Sequence, residues 1–342
     1  MKLLHPSAAF VLASLTLPTS AMIVAGASGG GNNANNTTQA QFQSEYGLSF
    51  PNFGNVVAYS DASGLYLGYD ASTKDVWVLT ARHVSSSSTQ GAAITIDGLV
   101  YERKSAGTDG FGLLPGGDLR LVRYGRSDLA VPSLPAVNLS TTVPIASTSL
   151  LMIGFGQNRT ENAATNDFSS DSTSLTVGSG YHWSGNKIER WGTNQIEAEF
   201  LDGLETAPVS GVTGTFSLGP YSTVGYMTDF DQPGFGQWRS SNEAQGSLGD
   251  SGGSAFHYSG GTWYLSGIMS AVAPFNGQAS NSSAFGNLSL LTDVASYSGA
   301  IATSLNGVTL VPEPTSMGLL MVSVLTILTR RGRRGHCWQT ER

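Results

Sequence analysis

Cysteine is almost absent from this sequence. Its 342 residues hold one, Cys337, close to the C-terminus. The body of the chain therefore has no disulfide to lean on, and its stability must come from a packed core. Charge is scarce too, at 12% of residues, and the formal net charge is −7. Of 17 lysines and arginines, Lys2 lies at the start and Arg330, Arg331, Arg333, Arg334 and Arg342 at the end, leaving 11 between. An acidic body of this kind argues against nucleic acid as a partner. Histidine is rare: His83, His182 and His257 are the only ones away from the two ends. What is plentiful is glycine, serine, threonine and asparagine, which favours an all-β chain with many turns over a helical one. The apolar 40% suffices for a sizeable core, and the length alone would suit two domains.

Three short motifs carry chemistry. Gly249-Asp250-Ser251-Gly252-Gly253 sets a serine in a glycine-rich turn. Without side chains in the way, backbone N–H groups such as those of Gly249 and Ser251 can converge on one carbonyl oxygen and stabilise an oxyanion. A serine hydroxyl also needs a base. Thr80-Ala81-Arg82-His83 follows the apolar run Val76-Trp77-Val78-Leu79, which reads as a buried strand. Asp118-Leu119-Arg120-Leu121-Val122 follows Pro115-Gly116-Gly117, so an aspartate opens another strand just after a turn.

In this order (His, Asp, Ser) the motifs resemble those of the trypsin/chymotrypsin-type serine proteases, over about residues 50–305. That family carries Leu-Thr-Ala-x-His, Asp-Leu/Ile-x-Leu and Gly-Asp-Ser-Gly-Gly. The resemblance implies an all-β, chymotrypsin/trypsin-like double β-barrel with a short C-terminal helix. Residues 48–165 would form the first barrel and 166–305 the second, with the active site in the cleft between them. Ser251 would be the nucleophile and His83 the general base, and Gly249 and Ser251 would form the oxyanion hole. Two aspartates precede a leucine. Asp118 begins an alternating strand that can point its carboxylate inward, whereas Asp128 sits near Pro132 and Pro135 in what reads as a departing loop. The segment Leu150–Gly156 resembles the family's Gly-Trp-Gly stretch, and its distance favours Asp118, with Asp128 as the alternative.

Specificity is addressed through the same resemblance. Gln245 falls where the family places the base of the primary pocket, so a trypsin-like preference for Lys or Arg is not expected. Ser270 falls on a strand that lines the pocket, and Val272 adds bulk that would narrow it. These three are the expected substrate-binding residues, for a small or medium uncharged side chain. The spacing of Asp202, Glu205, Asp229 and Asp231 matches no metal loop, and neither a metal nor a cofactor is expected. A catalytically idle, protease-like surface binding module is the rival reading. An esterase is a further one, although the serine motif lacks the Gly-x-Ser-x-Gly elbow.

Both ends read as targeting segments. Residues 1–21 have a positive start at Lys2, an apolar stretch from Ala8 to Leu17, and small residues before a cut, as in a secretory signal. Cleavage there would expose Ile23-Val24-Ala25-Gly26, similar to the family's activated start, whose amine pairs with the aspartate before the nucleophile, here Asp250. Residues 22–47 include the stretch Gly29–Gln43 and read as a flexible segment. Val311-Pro312-Glu313-Pro314 precedes an apolar run, Thr315–Thr329, and an arginine cluster. Residues 311–334 resemble the Pro-Glu-Pro (PEP-CTERM) sorting tail of exported Gram-negative proteins, with a transmembrane segment at 315–329. That resemblance implies export across the inner membrane to the surface or beyond, with a membrane sorting peptidase of the exosortase type as partner.

Overall fold

The computed structural model describes residues 22–26, 38–85, 91–104, 111–114, 116–160, 180–197, 212–218, 221–232, 242–275 and 278–305. The expected leader, residues 1–21, and the expected sorting tail, residues 311–334 with its apolar run, lie outside them. Among the described residues no helix is long and apolar enough to cross a membrane.

The chain is a double β-barrel. In the first sheet the strands Val56–Tyr59, Ala62–Tyr69, Val76–Ala81, Leu119–Gly125, Leu99–Arg103 and Ala93–Ile96 lie side by side in that order. All are antiparallel, and Phe111–Leu113 also pairs with Leu119–Gly125. The two outer strands approach each other, so the sheet nearly closes. The second barrel runs Arg190–Gln195, Ser149–Gly154, Ser254–Ser259, Thr262–Ala273, Leu288–Asp293, Tyr221–Asp229. Its seam is closed by the Asn194 amide, which donates to Asp229 O at 2.7 Å, and by Glu197 N, which donates to Met227 O at 3.0 Å.

Alternation along the strands explains how the barrels meet. Side chains of a strand point to opposite faces in turn. On Val76–Ala81, Val76 and Val78 fill the first barrel with Tyr66, Val122 and Tyr124. Trp77 and Leu79 face outward, yet they are just as buried, because they join Leu65, Leu67, Leu119 and Leu121 in a second cluster. That cluster includes Leu151, Ile153, Phe256 and Ile268 of the second barrel. The apolar run before His83 is therefore continuous because the strand is buried on both faces.

Two helices brace this core. The C-terminal helix Val294–Ser304 is capped by Asp293, whose carboxylate accepts from Ala295 N and Ser296 N. From it the Tyr297 hydroxyl donates to Gly116 O at 2.8 Å and accepts from Val224 N at 2.9 Å, tying the turn ahead of Asp118 to the second barrel. A side chain at Gly117 would run into the Tyr297 ring.

Two expectations are corrected here. Residues 22–47 are not simply a flexible segment. Ile23–Gly26 forms an edge strand antiparallel to Asn242–Gln245, and Gln39–Tyr46 is a helix. A capping box between Thr38 and Gln41 starts that helix, Gly47 in the left-handed region ends it, and Phe42 anchors it against Trp191 and Trp263. The first barrel also ends earlier than residue 165. Ser149–Gly154 pairs with Arg190–Gln195 and Ser254–Ser259, so it is a strand of the second barrel.

Candidate active site

His83 follows directly on the doubly buried strand, in the short 3-10 turn Arg82–Ser85. Asp118 lies just ahead of the neighbouring strand, and Arg82 N donates to its carbonyl. Its carboxylate spans His83 from two sides. Oδ1 accepts from His83 N at 3.0 Å, and Oδ2 lies 2.7 Å from His83 Nδ1. Asp118 is fully buried, while the His83 side chain is 32% exposed. The ring is thus held from within and open on its other edge. Asp128 lies elsewhere: Arg126 grips both its oxygens at 2.9 and 2.7 Å, and this pairing pulls its carboxyl down to about 2. The structure pairs Asp118, and not Asp128, with His83.

The Gly249–Gly253 turn is fixed one peptide after another. Leu248 O accepts from Gln157 N, Asp250 N donates to Ser247 O, Asp250 O accepts from Gly253 N, and Gly252 N donates to Met269 O. The N–H groups of Gly249 and Ser251 are left over, and neither donates a hydrogen bond among the described residues. Two unpaired donors together in one tight turn, at buried Gly249 and half-buried Ser251, can receive a ligand oxygen. Gly249 (φ +104°) and Gly252 (φ +84°) adopt backbone conformations that side chains disfavour. At Gly252 a Cβ would also collide with Ser63 O and Thr80 Oγ1. Gly252→Ala should therefore cost at least about 2 kcal/mol and lower the melting temperature by several degrees in a thermal scan.

Asp250 turns inward and is buried. Gly156 N donates to its Oδ1 at 2.8 Å, while Ser247 N and Ser247 Oγ donate to Oδ2 at 2.8 and 2.9 Å. Burial pushes its carboxyl up to about 6 despite these bonds and the attraction of Arg190. Arg190 is itself fully buried, its guanidinium donates no hydrogen bond among the described residues, and burial with the nearby Arg159 lowers it to about 9. Gly154 and Gly156 have a steric reason here, since a Cβ at either would strike the Asp250 carboxylate. Ile23 lies opposite Gln245 on the edge strand, and among the described residues three hydrogen bonds hold the Asp250 carboxylate.

Ser251 is half-buried, and its hydroxyl makes no hydrogen bond to His83. The link between the two is indirect. Ser251 O accepts from Ser63 N at 2.9 Å, and Ser63 O accepts from Thr80 Oγ1 at 2.7 Å, three residues before His83. Catalytic hydrogen bonds in unliganded sites are often long and tighten only around substrate.

Among the residues expected to bind substrate, Gln245 is buried, with Nε2 donating to Leu288 O and Oε1 accepting from Ser289 Oγ. Ser270 is buried too, its hydroxyl 2.7 Å from Thr292 Oγ1 and occupied there, at a bulge between Met269 and Ala271. Val272 is exposed, and its Cγ1 lies 3.3 Å from where a Cβ on Gly246 would be; Ser289 Oγ lies 3.5 Å from the same point. No motif marks Ser63 or Ser289, whose partners are remote in the chain. A cavity of about 640 Å³ opens beside the turn, against Leu248, Phe155, Lys187 and Asp61. A second, of about 540 Å³, is lined by Phe42, Tyr46 and Trp263 and by none of the residues of this site.

No protein-family profile matches the chain, and no curated protein matches it. Solved structures do resemble it. Kallikrein-related peptidase 10 is 13% identical over 76% of this chain and 98% of its own, with a TM-score of 0.43. An inactive mutant of Rv3671c from M. tuberculosis H37Rv is 12% identical over 75% and 89%, at 0.41. An inactive mutant of the murine norovirus NS6 protease is 13% identical over 71% and 94%, at 0.36. At these scores the likeness lends no weight to any chemistry, which rests on the hydrogen bonds above.

Proposed function

We propose that the chain is a serine endopeptidase that cleaves peptide bonds through an acyl-enzyme. In this reading Ser251 Oγ attacks the carbonyl carbon and His83 takes its proton. The developing oxyanion settles between the N–H groups of Gly249 and Ser251. Asp118 holds the imidazole in one tautomer and stabilises the imidazolium; His83 then returns the proton to the leaving amine, and water clears the ester by the same steps. The observation that carries the reading is the buried Asp118 carboxylate bridging the His83 backbone and ring. Covalent labelling of the purified protein with a fluorophosphonate probe tests it. Labelling that requires Ser251 supports the enzyme, and none in a folded protein would return the chain to the binding-module reading.

The residues around Gly246 favour a small uncharged side chain at the cleaved position. Val272 and Ser289 flank that glycine, and the residue expected at the base of the pocket is an uncharged glutamine, Gln245, with its amide tied up. Val272→Gly should raise kcat/KM for leucine or phenylalanine over alanine at that position by about 10-fold or more. An unchanged ratio across a peptide series would contradict this. The resemblance of residues 1–21 to a secretory signal and of residues 311–334 to a sorting tail supports a location outside the inner membrane.

A further inference from the structure

We infer that Ser63 is a positioning residue for the oxyanion-binding turn, holding it in register with the strand that carries His83. The inference rests on the endopeptidase reading and goes beyond it, since Ser63 belongs to the first barrel and to none of the three motifs.

Ser63 is fully buried at the start of Ala62–Tyr69. Its hydroxyl donates to Gly249 O at 2.9 Å and accepts from Phe155 N at 2.8 Å. Its backbone N–H donates to Ser251 O at 2.9 Å, and its carbonyl accepts from Thr80 Oγ1 at 2.7 Å. One residue thus holds the turn at the two positions whose N–H groups have no partner among the described residues, and joins both to the strand that leads into His83. The Gly249 carbonyl belongs to the peptide directly after the Gly249 N–H. Anchoring it limits rotation about a glycine, a residue that otherwise has wide freedom. Phe155 N is held by the same oxygen and lies between Gly154 and Gly156, which seat Asp250.

Removing the Ser63 hydroxyl leaves two buried groups, Gly249 O and Phe155 N, without their partner. The turn would then relax, and the loss should appear where the oxyanion forms more than where substrate docks. The test compares wild type with Ser63→Ala after titrating active sites with a fluorophosphonate, so that only competent molecules are counted. Measured are kcat, KM and the inhibition constant of a peptidyl boronate, whose adduct with the serine is tetrahedral. Expected for Ser63→Ala is a fall in kcat of about 10–100-fold with KM within about 3-fold, and a boronate constant that weakens in parallel with kcat/KM. A merely structural role would lower the melting temperature and the titratable fraction but leave the ratio of boronate constant to KM unchanged. That result, or wild-type kcat, would overturn the inference. If Ser63→Ala does not fold, Ser63→Cys, with a weaker donor of similar size, is measured alike: an intermediate loss supports the inference, and wild-type values overturn it. If wild type itself takes no label, the endopeptidase reading fails first, and this one with it.

Discussion

Ser251→Ala is expected to lower peptide hydrolysis by about 10⁶-fold and to abolish fluorophosphonate labelling. No cysteine in the body of the chain can stand in as nucleophile, since the one cysteine is Cys337, far along the sequence in the C-terminal segment. The loss should fall on kcat, because the hydroxyl forms a bond only during reaction, while KM stays within a few-fold. Some catalysis over water should remain, since the N–H groups of Gly249 and Ser251 are backbone and survive the change. Stability should barely move. Among the described residues Ser251 Oγ makes no hydrogen bond, and the carbonyl of Ser251 accepts from Ser63 N. A melting temperature within about 1 °C of wild type would show that the turn is intact. Retained hydrolysis at more than about a hundredth of the wild-type rate would mean that another group carries the reaction.

How much of this was legible beforehand depends on how local the cause is. The run before His83 is apolar at every position because its strand is buried on both faces, and that is written residue by residue. The glycines at 154 and 156 stand out in the sequence, but their reason, the Asp250 carboxylate about 95 positions further on, does not. Composition misled at residues 22–47. Gly- and Asn-rich neighbours hide a helix that is anchored by Phe42 on Trp191 and Trp263, both far away in the chain. The strand Ser149–Gly154 reads as a strand, yet which barrel owns it is decided by pairing with residues not yet reached. Ser63 is the extreme case. It is one serine among many, and its hydroxyl's partners are 92 and 186 positions away.

Asp118→Asn is expected to lower kcat by about 10⁴-fold while leaving KM and the fold largely intact. The carboxylate accepts from both His83 N and His83 Nδ1, and asparagine can accept through only one of its two arms. With its carbonyl oxygen facing His83 N, the new NH₂ group faces Nδ1. That nitrogen must then accept, so the ring proton moves to Nε2, the edge that has to receive the proton of Ser251. Asp118 is fully buried, so no water is at hand to relieve the mismatch. The same substitution at Asp128 separates this account from a general effect of removing acid. Asp128 is 55% exposed and paired with Arg126, so Asp128→Asn should leave kcat within about 2-fold. Steady-state rates on one peptide substrate decide the matter. Asp118→Asn within 10-fold of wild type, or Asp128→Asn falling as far as Asp118→Asn, would remove Asp118 from the role that its contacts with His83 support.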